Sequence, residues 1–211
     1  MTPEAPPFLL LIDRRDPKAR CMLTRLRELL DAGEARRLQQ LRLQGDRERF
    51  LLGRGVLRLM LAGWLRADPA ALVLGVGPRG KPRLTGQEVA GAAAVEPPPR
   101  FNVSHSGDLI LLGFHSRREV GVDIEELRPV PEWKGIAHRC LPPARRQAIG
   151  ALPAARRDGA FLEEWCRLEA VLKAKGLGVF GLAPEGGTAT PEADVWPVAL
   201  PAGYVGAAAL I

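Results

Sequence analysis

Three short segments, residues 101–106, 109–114 and 120–125, constrain the fold most, because each has the length and alternation of a β-strand. They are rich in Val, Ile, Leu and Phe, and only the pair Gly107-Asp108 separates the first two. A Gly-Asp pair between two such segments is typical of a tight hairpin turn, and a polar turn around 116–119 follows the second. The sequence therefore predicts an antiparallel meander of three strands.

The third of these segments carries two carboxylates in an otherwise apolar pattern. Because side chains alternate along a strand, its valines and isoleucine face one way, and Gly121, Asp123 and Glu125 face the other. The carboxylates then share a face with Cα atoms roughly 7 Å apart, and Gly121 leaves room there for another group to approach. A divalent cation or an arginine would relieve their repulsion, but a solvent-facing strand would show the same pattern.

Apolar spacing predicts the other elements: a strand at 8–12, helices at 23–30, 46–65 and 160–175, and a last strand at 204–210. Between them, a Gly/Pro-rich loop is predicted at 75–86 and proline-broken segments at 129–153. We expect an α+β fold of two similar-sized halves, 1–100 and 101–211, each a small antiparallel sheet packed with a long helix.

Positive charge is concentrated in the first half of the chain. The net charge is +6, yet residues 14–66 contain fourteen Lys and Arg against six Asp and Glu, which is +8 for that segment alone. A basic region of this kind favours an anionic partner: nucleic acid, a phosphorylated small molecule or an acidic protein. A solvated helix face would give the same count.

Cysteine use and the apolar segments bear on the compartment. The three cysteines are widely spaced with no C-x-x-C pair, so neither a disulfide framework nor a zinc site is indicated. The longest N-terminal apolar segment has five residues, and arginines interrupt the stretch 56–65. We therefore expect no secretory signal, no membrane-spanning helix and a cytoplasmic protein.

The helix predicted at 160–175 combines an apolar stripe with a charged pair. The stripe consists of Phe161, Trp165, Leu168 and Leu172. Glu169 and Lys173 lie one turn apart beside it. A core-facing stripe flanked by an ordinary i,i+4 pair, worth about 0.3–0.5 kcal/mol, would account for both features.

The segment FNVSHSG, residues 101–107, places polar side chains on one face of its strand. Asn102, Ser104 and Ser106 share that face, and His105 belongs to the other, more apolar face. A single histidine in such a position is more often a satisfied core residue than a ligand.

The order and spacing of these motifs carry more information than any one of them. FNVSHSG is followed by GVDIE at 121–125 and by W-x-x-x-E-A-x-x-K at 165–173, and it is preceded by DRERFLLGRGVLR at 46–58 and GKP at 80–82. Together they resemble the 4′-phosphopantetheinyl transferases of the larger, Sfp-like type. The resemblance runs from residue 46 to 178, with weaker similarity at Gly203-Tyr204.

This resemblance implies an enzyme that moves the 4′-phosphopantetheine arm of coenzyme A to a serine of an acyl or peptidyl carrier protein and releases 3′,5′-ADP. It also implies Mg²⁺, or Mn²⁺ in its place, and a monomer of two pseudo-symmetric α+β halves with coenzyme A between them. The partners would be coenzyme A and the carrier protein, with neither nucleic acid nor membrane.

The resemblance also implies roles for individual residues. The metal-binding carboxylates would be Asp123, Glu125 and Glu169. Coenzyme A would be bound by Arg49 at its nucleotide end, Lys81 and Pro82 at the adenine, Arg36 or Arg37 at the 3′-phosphate, and Ser104, His105 and Lys173 at the pyrophosphate. Glu169, Lys173 and His105 would be catalytic, with Glu169 as the general base.

One residue departs from the family's pattern. Leu168 stands where the family usually has the lysine of W-x-x-K-E-A. Because Leu168 falls on the apolar stripe, the helix can absorb it, but the site loses a positive charge. This leaves a second interpretation: a weakened homologue that binds coenzyme A or a carrier protein without efficient transfer.

Two other classes of protein compete with the transferase. A nucleic-acid-binding module would use the basic segment, but the whole chain has one tyrosine and no RNA-binding signature. A metal-dependent phosphohydrolase would use the carboxylates, but the chain has three histidines and lacks the usual His/Asp clusters. The weakened homologue is the stronger alternative.

Overall fold

The computed structural model describes residues 6–77, 81–85, 98–177 and 193–211. In chain order its elements are β1 (Phe8–Asp13), α1 (Pro17–Glu28), α2 (Ala32–Gln40), α3 (Gln44–Leu65), β2 (Leu74–Val76), β3 (Pro82–Leu84), β4 (Arg100–Ser106), β5 (Leu109–His115), β6 (Val120–Glu126), α4 (Trp133–Cys140), α5 (Pro143–Ala151), α6 (Ala154–Ala174), β7 (Asp194–Pro197) and β8 (Tyr204–Leu210). The fold is α+β with small antiparallel sheets, as the sequence predicted. No helix in these ranges has the length and apolar character needed to span a membrane.

The first sheet has the strand order β1-β5-β4, with both pairs antiparallel. Every residue of β5 is buried, which is expected for a central strand. The hairpin between β4 and β5 turns at Gly107, whose φ of 53° lies in the left-handed region that glycine tolerates best. The predicted hairpin is confirmed.

The prediction that β6 is the third strand of an antiparallel meander is wrong. β6 pairs with β8 in a second sheet of order β6-β8-β7, not with β5. β6 instead packs its valines against β5, so closely that a Cβ at Gly113 would lie 2.5 Å from Cγ1 of Val122. The apolar face of β6 thus fills a core with Leu109, Leu111 and Leu210.

β6 also runs beside β4, and side chains join the two strands. The bonds run from Val122 N to Asn102 Oδ1 at 2.9 Å, from Ser104 Oγ to Asp123 Oδ1 at 3.0 Å and from Ser106 Oγ to Glu125 Oε2 at 2.9 Å. Residue numbers rise together along both strands, so the strands are parallel. The polar face predicted for FNVSHSG therefore fixes the position of the carboxylate face of β6.

The face of the second sheet that carries Gly121, Asp123 and Glu125 is covered by α6. Gly121 is the point of closest approach, because a Cβ there would overlap the carbonyl oxygen of Ala170 and the amide nitrogen of Ala174. The space that the sequence predicted at Gly121 is thus filled by the backbone of α6. This contact brings α6, with Glu169 and Lys173, beside the carboxylates of β6.

The basic N-terminal region forms three helices. α3 packs on the first sheet, with the Gly53 position 3.5 Å from Ile110 Cγ2. α2 is held to α3 by Arg58, which is fully buried and donates to Glu34 Oε2 at 2.8 Å and Asp31 Oδ2 at 3.0 Å. α2 carries Arg37 in its last turn, so this network positions a basic residue.

Several elements differ from the sequence-based predictions. α2 was not predicted, and β2 and β3 form a short hairpin within the predicted loop 75–86. The proline-broken segments contain α4 and α5, and Pro143 occupies the first turn of α5, where its missing N–H costs nothing.

The sheets do not separate at residue 100, since β1 pairs with β5. The division into halves 1–100 and 101–211 stays a prediction, as does their pseudo-symmetry. Residues 178–192, which precede β7 and β8, lie outside the described residues.

Candidate active site

A cavity of about 350 Å³ lies where β4, β6 and α6 meet. Its lining residues are Val103, Ser104, His105, Asp123, Ile124, Glu125, Trp165, Glu169 and Lys173. All five residues predicted for catalysis or metal binding, together with Ser104, are therefore brought together from three separate segments of the chain. We refer to it as the carboxylate cavity.

Lys173 and Asp123 form the central contact of the carboxylate cavity. Lys173 Nζ donates to Asp123 Oδ1 at 2.6 Å and to Ser104 Oγ at 3.1 Å. Asp123 is only 5% exposed, so this pair is shielded from water and salt. All the described bonds of Asp123 use Oδ1, and Oδ2 is buried without a hydrogen-bond partner among the described residues.

Glu125 sits at the more open end of the same face. Its Oε2 accepts from Ser106 Oγ at 2.9 Å and from Arg128 Nη1 at 2.7 Å. Arg128 is half exposed, so its ion pair with Glu125 can exchange with solvent or a ligand at low cost.

Glu169 approaches from α6 and is buried almost as deeply as Asp123. It is 8% exposed, and its Oε1 is buried with no hydrogen-bond partner among the described residues. Burial raises the pKa of Glu169; the Lys173 ammonium opposes this, and the charges of Asp123 and Glu125 add to it. A carboxyl of this kind accepts a proton more readily than a free glutamate does.

The donor set fits a hard divalent cation, although it is not arranged as a ready metal site. Within the described ranges, no group of three or more His, Cys, Asp and Glu side chains is placed to hold a metal ion. However, Asp123 Oδ2 and Glu169 Oε1 are both orphaned carboxylate oxygens at one cavity. Mg²⁺ and Mn²⁺ prefer such oxygens, and a bound cation would satisfy both.

Replacing Glu169 by Gln should stabilise the protein in the absence of metal. Because the folded-state pKa of Glu169 is raised, its contribution to stability is present below the ordinary value of 4.5 and is lost as the pH rises through the raised pKa. At pH 8 with a chelator, removing the buried charge should raise Tm by about 2–4 °C, corresponding to roughly 1 kcal/mol.

Thermal unfolding of wild type and E169Q from pH 4 to 8 would measure this difference. The gap in Tm should narrow as the pH falls toward 4.5. A gap that is constant across this range would contradict the role assigned to the Glu169 charge.

A second cavity, of about 360 Å³, adjoins the first. Its lining residues are Arg37, Leu41, Asp46, Arg49, Phe50, Gly53, Arg54, Leu57, Pro82, Val103 and His105. Val103 and His105 line both cavities, so the two cavities adjoin at these residues, and we refer to them together as the cleft. We refer to the second as the basic cavity, because three arginines converge there.

Arg49 is held in this cleft by two contacts, and His105 lines both of its cavities. Arg49 pairs with Asp46, and its Nη1 donates to the carbonyl oxygen of Gly107 at 2.6 Å. His105 is solvent-accessible but enclosed by the cleft, and desolvation followed by the charges of Arg49 and Lys173 lowers its pKa. The imidazole is therefore neutral at physiological pH and can donate one hydrogen bond.

The GKP segment divides between two places. Pro82 lines the basic cavity, but Lys81 Nζ pairs with Glu119 Oε2 at 2.9 Å and lies 3.4 Å from the carbonyl oxygen of Ala174. Lys81 thus ties β3 to the C-terminal end of α6 and lies outside both cavities of the cleft. Gly80 lies outside the described residues.

The lining of the basic cavity distinguishes Arg36 from Arg37, between which the sequence did not decide. Arg37 lines it, and Arg36 does not. It also adds Arg54, which sequence reasoning missed although Arg54 lies five residues after Arg49 on α3.

Leu168 packs away from the cleft. It contacts the apolar cluster formed by Trp133, Ala137 and Phe161, between α6 and the helices α4 and α5. The prediction that the helix absorbs this residue is confirmed, and no other cation takes the place of the expected lysine among the lining residues of the carboxylate cavity.

Two family models match separate ranges of this chain. Residues 16–116 match the family model described as 4′-phosphopantetheinyl transferase, N-terminal, and residues 119–184 match the 4′-phosphopantetheinyl transferase superfamily. The first match includes the basic cavity's arginines, and the second includes Asp123, Glu125, Glu169 and Lys173.

Curated relatives carry the same family name. The chain is 33% identical to the 4′-phosphopantetheinyl transferase HetI of Nostoc over 71% of this chain and 61% of that protein. It is 33% identical to a phosphopantetheinyl transferase of Thraustochytrium over 81% and 61%, and 34% identical to AcpT of Escherichia coli over 62% and 58%. The chain spans less than two thirds of the length of the curated relatives it matches. Because the two family matches together take in residues 16–116 and 119–184, this chain belongs to the 4′-phosphopantetheinyl transferase superfamily.

Proposed function

We propose that the protein transfers the 4′-phosphopantetheine arm of coenzyme A to a serine of an acyl or peptidyl carrier protein and releases 3′,5′-ADP. The observation that carries the proposal is the pair of adjoining cavities, one with orphaned carboxylate oxygens and the other with three arginines. A substrate with a phosphorylated nucleotide and a pyrophosphate next to the reacting arm has the matching charge distribution.

The cation site supports the reaction chemically. Asp123, Glu169 and, after release of its bond to Arg128, Glu125 would hold Mg²⁺ or Mn²⁺. When bound, the cation would supply charge neutralisation at the pyrophosphate oxygens, which phosphoryl transfer requires.

The remaining groups of the cleft act directly on substrate. Lys173 supplies a positive charge and His105 a neutral hydrogen-bond donor for the phosphate oxygens. Glu169, which lines the same cavity, accepts the proton of the attacking serine hydroxyl. Ser104 and Ser106 position Asp123 and Glu125, each through a hydrogen bond of about 3 Å.

The nucleotide end of coenzyme A would occupy the basic cavity, against Arg37, Arg49 and Pro82. Lys81 would then act by holding β3 against α6, with the adenine placed beside Pro82. We expect the protein to act as a cytoplasmic monomer, with an acidic carrier protein drawn to its positive N-terminal region.

Intact-mass measurement of several apo carrier proteins tests this function. Each is incubated with the protein, coenzyme A and Mg²⁺, and a carrier should gain the mass of one phosphopantetheine arm. No gain should occur with chelator in place of Mg²⁺.

A lack of gain on every carrier, with coenzyme A binding still detectable by calorimetry, would contradict the proposed transfer. It would favour the weakened homologue, in which the missing lysine at Leu168 limits catalysis. Release of inorganic phosphate from coenzyme A without a carrier would instead favour a phosphohydrolase.

A further inference from the structure

Arg54 is the one residue lining the basic cavity that has, among the described residues, a buried side-chain nitrogen or oxygen without a hydrogen-bond partner. Its Nη1 is buried and has no hydrogen-bond partner there, whereas the neighbouring Arg49 pairs with Asp46 and donates to the Gly107 carbonyl. A buried guanidinium nitrogen without an acceptor costs free energy, which an anionic ligand would recover.

Glu34 forms an ion pair with Arg54 but accepts no hydrogen bond from it. Arg54 Nε lies 3.2 Å from Glu34 Oε1, close enough for an ion pair, but the alignment of a hydrogen bond is missing, and Glu34 Oε1 is itself without a hydrogen-bond partner. Glu34 is meanwhile fixed by Arg58, which contacts Glu34 Oε2 at 2.8 Å.

Arg54 therefore lines the basic cavity while Glu34, itself held by Arg58, pairs with its Nε. Burial, together with the positive charge of Arg58, lowers the pKa of Arg54, while Glu34 and Asp31 oppose this. The side chains that line the basic cavity include three arginines and one aspartate, a net charge of +2 that suits a dianion, and the planar guanidinium of Arg54 suits two oxygens of a phosphate.

The position of Arg54 indicates which phosphate of the proposed substrate it meets. Arg54 lines the basic cavity but not the carboxylate cavity, and His105 stands between the two. In coenzyme A the pyrophosphate must reach the carboxylate cavity for the serine to attack it. The phosphate monoester on the ribose is then the anion that remains for the basic cavity.

We propose that Arg54, positioned by Glu34, binds the 3′-phosphate of coenzyme A beside Arg37 and makes the protein selective for coenzyme A over its dephosphorylated form. This inference rests on the proposed function, since it takes coenzyme A as the ligand. It concerns binding, however, and can be tested without any transfer.

The test compares affinities for coenzyme A and dephospho-coenzyme A, and for 3′,5′-ADP and 5′-AMP as fragments, by calorimetry. Wild type should prefer the ligand with the 3′-phosphate in both pairs. In Arg54→Gln, this preference should fall by about tenfold to a hundredfold, the range expected for a lost charge-assisted hydrogen bond, while affinity for dephospho-coenzyme A stays within about threefold.

Arg27→Gln is the matched control. It removes an equal charge from the same basic region, but Arg27 is exposed and lines a different cavity, with Arg47 and Glu48. The preference of Arg27→Gln for the ligand with the 3′-phosphate should equal that of wild type at the same ionic strength.

Arg54→Lys guards against a folding defect. A lysine keeps the charge but not the planar pair of donors, so the preference should fall by about threefold to tenfold and the Tm should stay near that of wild type. An unchanged preference in both variants, an equal loss for both ligands of a pair, or a wild type that does not distinguish them would overturn the assignment of Arg54. If wild type binds none of the four ligands, both the assignment of Arg54 and the proposed function fail. If wild type transfers the arm normally but does not distinguish the ligands, only the assignment of Arg54 fails.

Discussion

Asp123→Asn should lower the rate of carrier modification by about 10³-fold or more, with little change in the fold. Asp123 supplies an orphaned oxygen to the proposed cation site and is the acceptor for Lys173 at 2.6 Å. Asparagine keeps the size of the side chain and can still accept from Ser104. It removes the charge that a cation requires, so the loss falls on transfer rather than on packing.

Binding measurements separate this effect from misfolding. In chelator, coenzyme A should bind Asp123→Asn at least as tightly as wild type, because a negative charge has been removed beside the phosphates. Titration with Mn²⁺ should show weakened metal binding in the variant. Asp194→Asn is the control, since Asp194 lies on the exposed strand β7 and pairs with Arg118 at the surface, and it should keep the wild-type rate within about twofold.

Two outcomes would contradict the role of Asp123. Wild-type transfer by Asp123→Asn would show that the buried carboxylate is dispensable, and the cation site would have to lie elsewhere. Loss of coenzyme A binding in chelator, together with a large fall in Tm, would show that the pair with Lys173 serves the fold and not the reaction.

The faces of single strands could be predicted because alternation is a local property. The sequence placed Asp123 with Glu125, and Asn102 with the two serines, and the structure joins these two faces by side-chain hydrogen bonds. The stripe on α6 was likewise predicted from spacing alone, and Leu168 packs in the apolar cluster as that stripe requires.

The pairing of strands could not be predicted in the same way. β6 follows β5 after a short polar turn, as a third meander strand would, but its partner β8 begins at Tyr204, far along the chain. Alternation is the same for a strand that pairs with its neighbour and one that packs on it. The small residues Gly113 and Gly121, which permit the close packing, were the available signal.

α2 and α5 were not predicted because the residues at their starts were not recognised as helix starts. Pro143 and Pro153 were taken as breaks, yet each stands at the start of a helix, where proline is tolerated. α2 begins with a capping box of Asp31 and Glu34, a motif that sequence reading could have used. Because α2 was not predicted, the contacts of its Glu34 with Arg54 and Arg58 were not predicted either. The basic cavity was therefore only partly predicted.

Gly121→Ala should destabilise the protein by about 3 kcal/mol, which would lower Tm by roughly 6–12 °C. A Cβ at this position would overlap the carbonyl oxygen of Ala170 and the amide nitrogen of Ala174, and its third neighbour, the Ala170 carbonyl carbon, is 3.0 Å away. All three are backbone atoms of α6, so no side-chain rotation can relieve the overlap. The helix must move away from β6, and Glu169 and Lys173 move with it, so transfer should fall even where the variant folds.

Gly135→Ala and Gly150→Ala are the matched controls, because each lies within a helix and a Cβ there meets open space. Alanine has the higher helix propensity, so both should keep or raise Tm, by up to about 1 kcal/mol of stability, and leave transfer unchanged. A Gly121→Ala variant with the Tm and transfer rate of wild type would contradict the seating of α6 on β6. The carboxylates of the two elements would then not share one cavity, and the proposed cation site would lose its geometric basis.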